Sequence, residues 1–214
     1  MQTVHVFVLD TLSDWELAYA AVGINNPMFQ QQPGRYRIRT VGPSTEPVTT
    51  MGGIRVAPDM GLDALAPADS AMFILPGGVT WDQGQHTEAI EKAAAFLDAG
   101  VPVAAICGAT AAMARSGLLD AREHTSNTRE YLKATGYRGA EFYRDEPAVT
   151  DGLLTTAGGL APLEFAYHIF KQLDVYSERT LDAWLQLFKT GDPSHYQTLM
   201  EPSGGGGESS PPNG

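Results

Sequence analysis

The chain has 214 residues, 43% of them hydrophobic, and its 14 basic against 25 acidic residues give a formal charge of −11. At roughly 150 residues per domain this predicts one large domain, or one domain with an appendage. The negative field disfavours nucleic acid and anionic membrane surfaces as partners, and the apolar stretch Ala99 to Ala114, interrupted by Pro102 and Gly108, is shorter than the roughly 18 apolar residues of a spanning helix.

Thr3 to Leu9 is a short apolar run rich in β-branched residues, which predicts a strand buried on both faces. A helix follows: Ser13 and Glu16 stand in the S-x-x-E relation of a capping box, ahead of Leu17, Ala18, Ala21 and Val22. Tyr36 to Val41, Gly53 to Ala57 and Ala71 to Leu75 read as strands, the last stopped by Pro76-Gly77-Gly78, and Thr87 to Ala99 as an amphipathic helix. Val101 to Ile106 is the most apolar strand, and it runs through Cys107-Gly108-Ala109-Thr110 into a helix-forming segment. Pro147 to Thr150 and Leu153 to Thr156 flank Asp151-Gly152, a hairpin signal. Leu163 to Leu173 and Leu181 to Lys189 predict two closing helices. Strands alternating with helices of this length predict an α/β fold around a mostly parallel sheet, with the hairpin added antiparallel. The domain is assigned to residues 1–201. Residues 202–214, of which 11 of 13 are Gly, Pro or Ser, read as a disordered tail.

Cys107 is the only cysteine, so no internal disulfide forms, and no charged leader with a cleavage site precedes the first strand. A cytoplasmic location is expected on both grounds. The position of Cys107 between a strand and a helix resembles a nucleophile elbow, where the free N–H groups of Gly108 to Thr110 and the helix dipole favour a thiolate with a lowered pKa. The competing reading is a buried structural cysteine. Gly77 and Gly78 end a neighbouring strand and, with the N–H of Gly108, are candidate oxyanion donors, although a plain Gly-Gly turn accounts for them equally well. Glu16 is either a cap or an acid beside the sulfur, able to relay a proton. His124 is a candidate base, or a solvated loop histidine. Thr110 and Asp10 are candidate pocket residues, whereas Trp15, Trp81, Tyr143 and Phe165 read as core in preference to pocket walls. The histidines lack metal-ligand spacing, so no metal is expected.

Five motifs in order then resemble the PfpI family, which includes intracellular protease I, isonitrile hydratase and the parkinsonism-associated deglycase, within the class I glutamine amidotransferase-like superfamily. They are Asp14-Trp15-Glu16, Leu75-Pro76-Gly77-Gly78, Ala105-Ile106-Cys107-Gly108 with Gly117-Leu118-Leu119-Asp120, His124-Thr125-Ser126-Asn127, and Leu154 to Gly158 leading to Glu164-Phe165-Ala166. The resemblance implies a flavodoxin-like three-layer sandwich, a homodimer, Cys107 as nucleophile and Glu16 beside it, with no cofactor. It also matches His124 to a histidine of the deglycase-like branch. Family activities include glyoxalase or deglycase chemistry, isonitrile hydration, peptide hydrolysis and oxidative-stress sensing. Gly108 departs from the histidine that protease-like members carry after the cysteine, and no late His-x-Glu of the amidotransferases is present. The expected function is therefore a small cysteine enzyme acting on reactive carbonyls. The alternatives are an oxidative-stress sensor working through Cys107 and a cysteine hydrolase.

Overall fold

Side chains along the central strands alternate between two apolar layers, and this alternation builds the molecule. On β6 (Met72–Leu75), Met72 and Ile74 enter one buried cluster while Phe73 and Leu75 enter the other. On β7 (Val103–Ile106), Ala104 and Ile106 go with the first, Val103 and Ala105 with the second. A strand buried on both faces needs apolar residues at every position, and all eight of these residues are buried. The computed structural model describes residues 1–201, so the tail assigned to 202–214 lies outside the described residues.

The sheet has seven strands in the order β5-β2-β1-β6-β7-β9-β8. They are β1 (Gln2–Phe7), β2 (Tyr36–Gly42), β5 (Met60–Gly61), β6, β7, β8 (Ala148–Asp151) and β9 (Leu154–Ala157). Every pairing is parallel except that of β8 with β9, the hairpin about Asp151-Gly152. Helices α1 (Asp14–Asn25), α6 (Pro162–Gln172) and α7 (Glu178–Thr190) cover one face; α3 (Thr87–Asp98) and α4 (Gly108–Arg115) cover the other. The result is the expected three-layer α/β sandwich. The strand expected over Gly53 to Ala57 is reduced to β4 (Arg55–Val56), paired only with β3 (Val48–Thr49) in a separate ribbon. A tight turn consumes the rest: Thr50 N–H bonds the Ile54 carbonyl at 2.9 Å, and Gly53 takes φ +81°. Short helices α2 (Val79–Asp82), α5 (Arg129–Lys133) and α8 (Ser194–Met200) carry too few turns for periodicity to reveal them.

Strand order reverses beside β1, since the chain moves from β1 to β2 on one side and later to β6 on the other. In open parallel sheets the crevice outside the carboxyl ends at such a reversal is the binding position. Four segments leave the sheet there: residues 8–16 after β1, 76–78 after β6, Cys107 after β7, and 158–159 after β9. Among the described residues, no helix is long and apolar enough to cross a membrane.

Candidate active site

Cys107 adopts φ 58° and ψ −124°, a backbone conformation that a side-chain-bearing residue rarely takes. Strain of this kind, on the order of 1–3 kcal/mol, persists only where neighbours over-determine it. Here the Cys107 N–H donates to the Ala157 carbonyl at 3.0 Å, while its carbonyl accepts from the Thr110 N–H at 3.1 Å and the Thr110 hydroxyl at 2.6 Å. Because the Thr110 proton is used on that carbonyl, the Ser126 hydroxyl, 2.6 Å away, donates to Thr110 in turn. Thr110 is fully buried, which corrects its reading as a pocket residue: it clamps the elbow. Cys107 as a residue is half-buried and lines a cleft of about 740 Å³.

Glu16 meets the sulfur. The buried stripe of α1 is Glu16, Ala20, Gly23 and Ile24, so the carboxyl occupies a core-facing position and is only 2% exposed. It forms no capping box: Ser13 makes no side-chain cap, and the Ser13 N–H donates to the Gly77 carbonyl at 3.0 Å. Instead the Glu16 carboxyl accepts the Gly77 N–H at 2.7 Å and stands beside Cys107, its Oε1 and the sulfur lying 3.1 and 2.9 Å from one point beside Gly159. Glycine is required above and below this pair. A Cβ at Gly77 would lie 2.4 Å from Glu16 Oε2 and 2.7 Å from Cys107 Cβ, and one at Gly159 would lie 2.9 Å from Cys107 Sγ.

Burial raises the pKa of Glu16, and burial together with the Glu16 charge pushes the Cys107 thiol up to about 11. This corrects the expectation of a lowered thiol pKa: the elbow's Gly108 N–H does favour the thiolate, but desolvation and the neighbouring carboxylate outweigh it. Both shifts are upward because a dry site penalises each charged form, and the Glu16 charge adds to the penalty on the thiolate.

Asn127 is the residue that sequence reasoning missed as a participant. Its Oδ1 accepts the Gly159 N–H at 2.8 Å, which fixes the amide so that Nδ2 faces Cys107 Sγ at 3.5 Å. His124, three residues earlier, is not brought to the site. It is completely buried; Nδ1 contacts the Arg122 carbonyl at 2.7 Å, Nε2 contacts the Tyr137 hydroxyl at 3.1 Å, and the ring packs edge-on to Tyr137 and Tyr143. Of the oxyanion candidates, Gly77 is excluded, because its N–H donates to the Glu16 carboxyl at 2.7 Å. Asp10, exposed, accepts the Thr49 N–H at 2.7 Å and ties the first loop to the ribbon, away from the cleft lining. Trp81 and Phe165 are core, as expected, whereas Trp15, 54% exposed, and Tyr143 line the cleft.

The profile of the DJ-1/PfpI family matches residues 2–172. The chain belongs to the DJ-1/PfpI family. Over 205 residues it is 41% identical to the protein named Uncharacterized protease YoaZ of Bacillus subtilis (strain 168), covering 94% of this chain and 98% of that protein. The crystal structure of a ThiJ/PfpI family protein from Bacillus anthracis superposes with a TM-score of 0.88 at 42% identity, covering 94% of this chain and 97% of the other. A more distant DJ-1/PfpI relative is named Glutathione-independent glyoxalase DJR-1.2, from Caenorhabditis elegans; it is 25% identical over 143 residues, 66% of this chain and 75% of that one.

Proposed function

We propose that this protein is a cysteine-dependent enzyme of glyoxalase type, acting on small reactive carbonyl compounds. The observation that carries the reading is the juxtaposition of Cys107 Sγ and the Glu16 carboxyl, 2.9 and 3.1 Å from one point beside Gly159, in a buried site that raises the carboxyl pKa. For methylglyoxal the chemistry balances without an oxidant. The Cys107 sulfur adds to the aldehyde carbon, and the thiol proton ends on the aldehyde oxygen. Glu16 removes the proton from that carbon and returns it to the neighbouring carbonyl carbon, the ketone oxygen taking up the proton released from the former aldehyde oxygen. The adduct thereby becomes a thioester of a hydroxy acid, and water hydrolyses it to lactate and the free thiol. Asn127 Nδ2 offers a donor to the oxygen that develops charge beside the sulfur. The name of the Caenorhabditis elegans relative agrees with this class.

A peptidase reading has less support, despite the names of two relatives. An imidazole directly after the cysteine has no room in this chain, because a Cβ at Gly108 would lie 2.9 Å from the Gly78 carbonyl oxygen and 3.3 Å from Trp81. The test is methylglyoxal consumption with lactate followed by proton NMR. The wild-type protein is expected to turn over, and Cys107→Ser and Glu16→Gln to retain less than about 1% of the rate. A wild-type protein that leaves methylglyoxal unchanged overturns the reading.

A further inference from the structure

The lining of the cleft carries Glu16, Asp145, Glu146 and Glu164, and no Lys, Arg or His. Glu164 is neutralised by Lys189 at 2.6 Å. Asp145 and Glu146 are exposed at the mouth, and among the described residues neither makes a salt bridge. The cations nearest in sequence are turned to other partners. Arg144 pairs with Glu123, and Arg129 lies over the Tyr143 ring at 4.6 Å while donating to the Ala140 carbonyl at 2.9 Å. A second surface at the mouth has the same preference for positive charge: the indole of Trp15, half exposed, is the aromatic face best suited to hold an ammonium or guanidinium group.

We infer that the cleft sorts electrophiles by charge, taking those with an ammonium or guanidinium group ahead of neutral ones and rejecting those with a carboxylate or sulfonate. Asp145, Glu146 and Trp15 are the specificity-determining residues. The inference rests on the reading of Cys107 as the reactive sulfur at this cleft, and it names the substrate class: carbonyl compounds that carry a cationic group apart from the reacting carbonyl. Low-dielectric walls lined by one sign of charge raise the local concentration of the opposite sign, and the effect decays with salt.

Cys107 is the only cysteine, so thiol reagents read this site alone. Trimethylammonioethyl, methyl and sulfonatoethyl methanethiosulfonate each transfer their thioalkyl group to the sulfur, forming a disulfide and releasing methanesulfinate as the thiol proton passes to solvent. The ratio of cationic to anionic rates, divided by the same ratio for free mercaptoethanol, is expected to be about tenfold at low ionic strength and to shrink toward unity in about 0.5 M salt. Asp145→Asn/Glu146→Gln is expected to lower that ratio at least about threefold. Glu91→Gln/Asp98→Asn, which removes the same charge from exposed positions on α3 outside the cleft, is expected to leave it unchanged. A wild-type ratio near unity, no fall in the mouth variant, or an equal fall in the α3 variant overturns the inference. Failure of all three reagents to modify Cys107 overturns both this inference and the proposed function. Charge selection without methylglyoxal turnover removes the proposed function alone.

Discussion

Glu16 and Cys107 meet beneath a backbone so close that a methyl group at Gly77 would overlap both residues. The two belong to different elements: Glu16 to the first turn of α1, Cys107 to the turn between β7 and α4. They meet because β1, β6 and β7 run parallel and adjacent. The sheet brings their carboxyl ends to one edge, where the Glu16 charge raises the pKa of the thiol.

This coupling predicts the pH profile of Cys107 alkylation by a neutral reagent. The wild-type rate is expected to rise once as pH climbs through the raised Glu16 titration, level off, and rise again toward about 11 as the second proton leaves. Glu16→Gln removes the charge that separates the two steps. Its profile is expected to show a single step between the wild-type pair, and two steps persisting in that variant refute the coupling.

Gly77→Ala tests the packing around the pair. The new Cβ sits 2.4 Å from Glu16 Oε2, so the carboxyl must swing away or the elbow must move. Misplacing a proton-transfer group by about 1 Å costs about 100-fold in rate. The expected result is a loss of that size in kcat/KM for methylglyoxal, with a crystal structure displaying Glu16 displaced from Cys107. Retained activity with an undisturbed carboxyl contradicts the required close approach.

The fold was legible because each long element carried its own period. β6 and β7 are apolar at every position, and α6 and α7 are amphipathic. The elbow was legible for the same reason, an apolar strand ending abruptly in small residues before a helix. Glu16 left a signal that the capping pattern obscured: it stands in register with Ala20, Gly23 and Ile24, where a helix packed on a sheet calls for an apolar side chain. Asn127 left none, since its contact with the sulfur depends on loop 116–128 lying against the turn after β9, fixed by the 2.8 Å bond from the Gly159 N–H. His124 was misread because spacing from Cys107 says nothing about which way an extended segment points its side chains. Here Thr125, Ser126 and Asn127 reach the cleft lining while His124 turns into the Tyr137 and Tyr143 side.

His124→Leu separates structure from catalysis. The substitution removes the hydrogen-bond partner of the Arg122 carbonyl and the Tyr137 hydroxyl inside a completely buried site. Leaving buried polar groups unpaired costs about 1–3 kcal/mol, or a fall in Tm of about 2–12 °C for a domain of this size. The rate of Cys107 alkylation in the folded variant is expected to stay within about twofold of wild type. A collapse of that rate in a fully folded variant restores His124 to the catalytic machinery.

Glu16 should also weaken the fold it serves. Its folded-state pKa lies above the unfolded value because burial penalises the charged form. The folded protein therefore holds this proton more tightly than the unfolded chain. The stability linked to it is full below the ordinary carboxylate pKa and is lost as pH rises through the raised one. Cys107 has the same sign at higher pH, with stability lost between the ordinary 9.0 and about 11. Glu16→Gln keeps an acceptor for the Gly77 N–H and carries no charge to desolvate. At pH values above the raised Glu16 pKa its Tm is expected to exceed that of wild type by about 2–4 °C, the equivalent of about 1 kcal/mol in a domain of this size. In acid, below the ordinary carboxylate pKa, the difference should vanish, because the wild-type carboxyl is then neutral in both folded and unfolded chains. Thermal unfolding of both proteins across that range measures it. Equal Tm values at every pH would mean that Glu16 is not held as a buried, desolvated carboxyl.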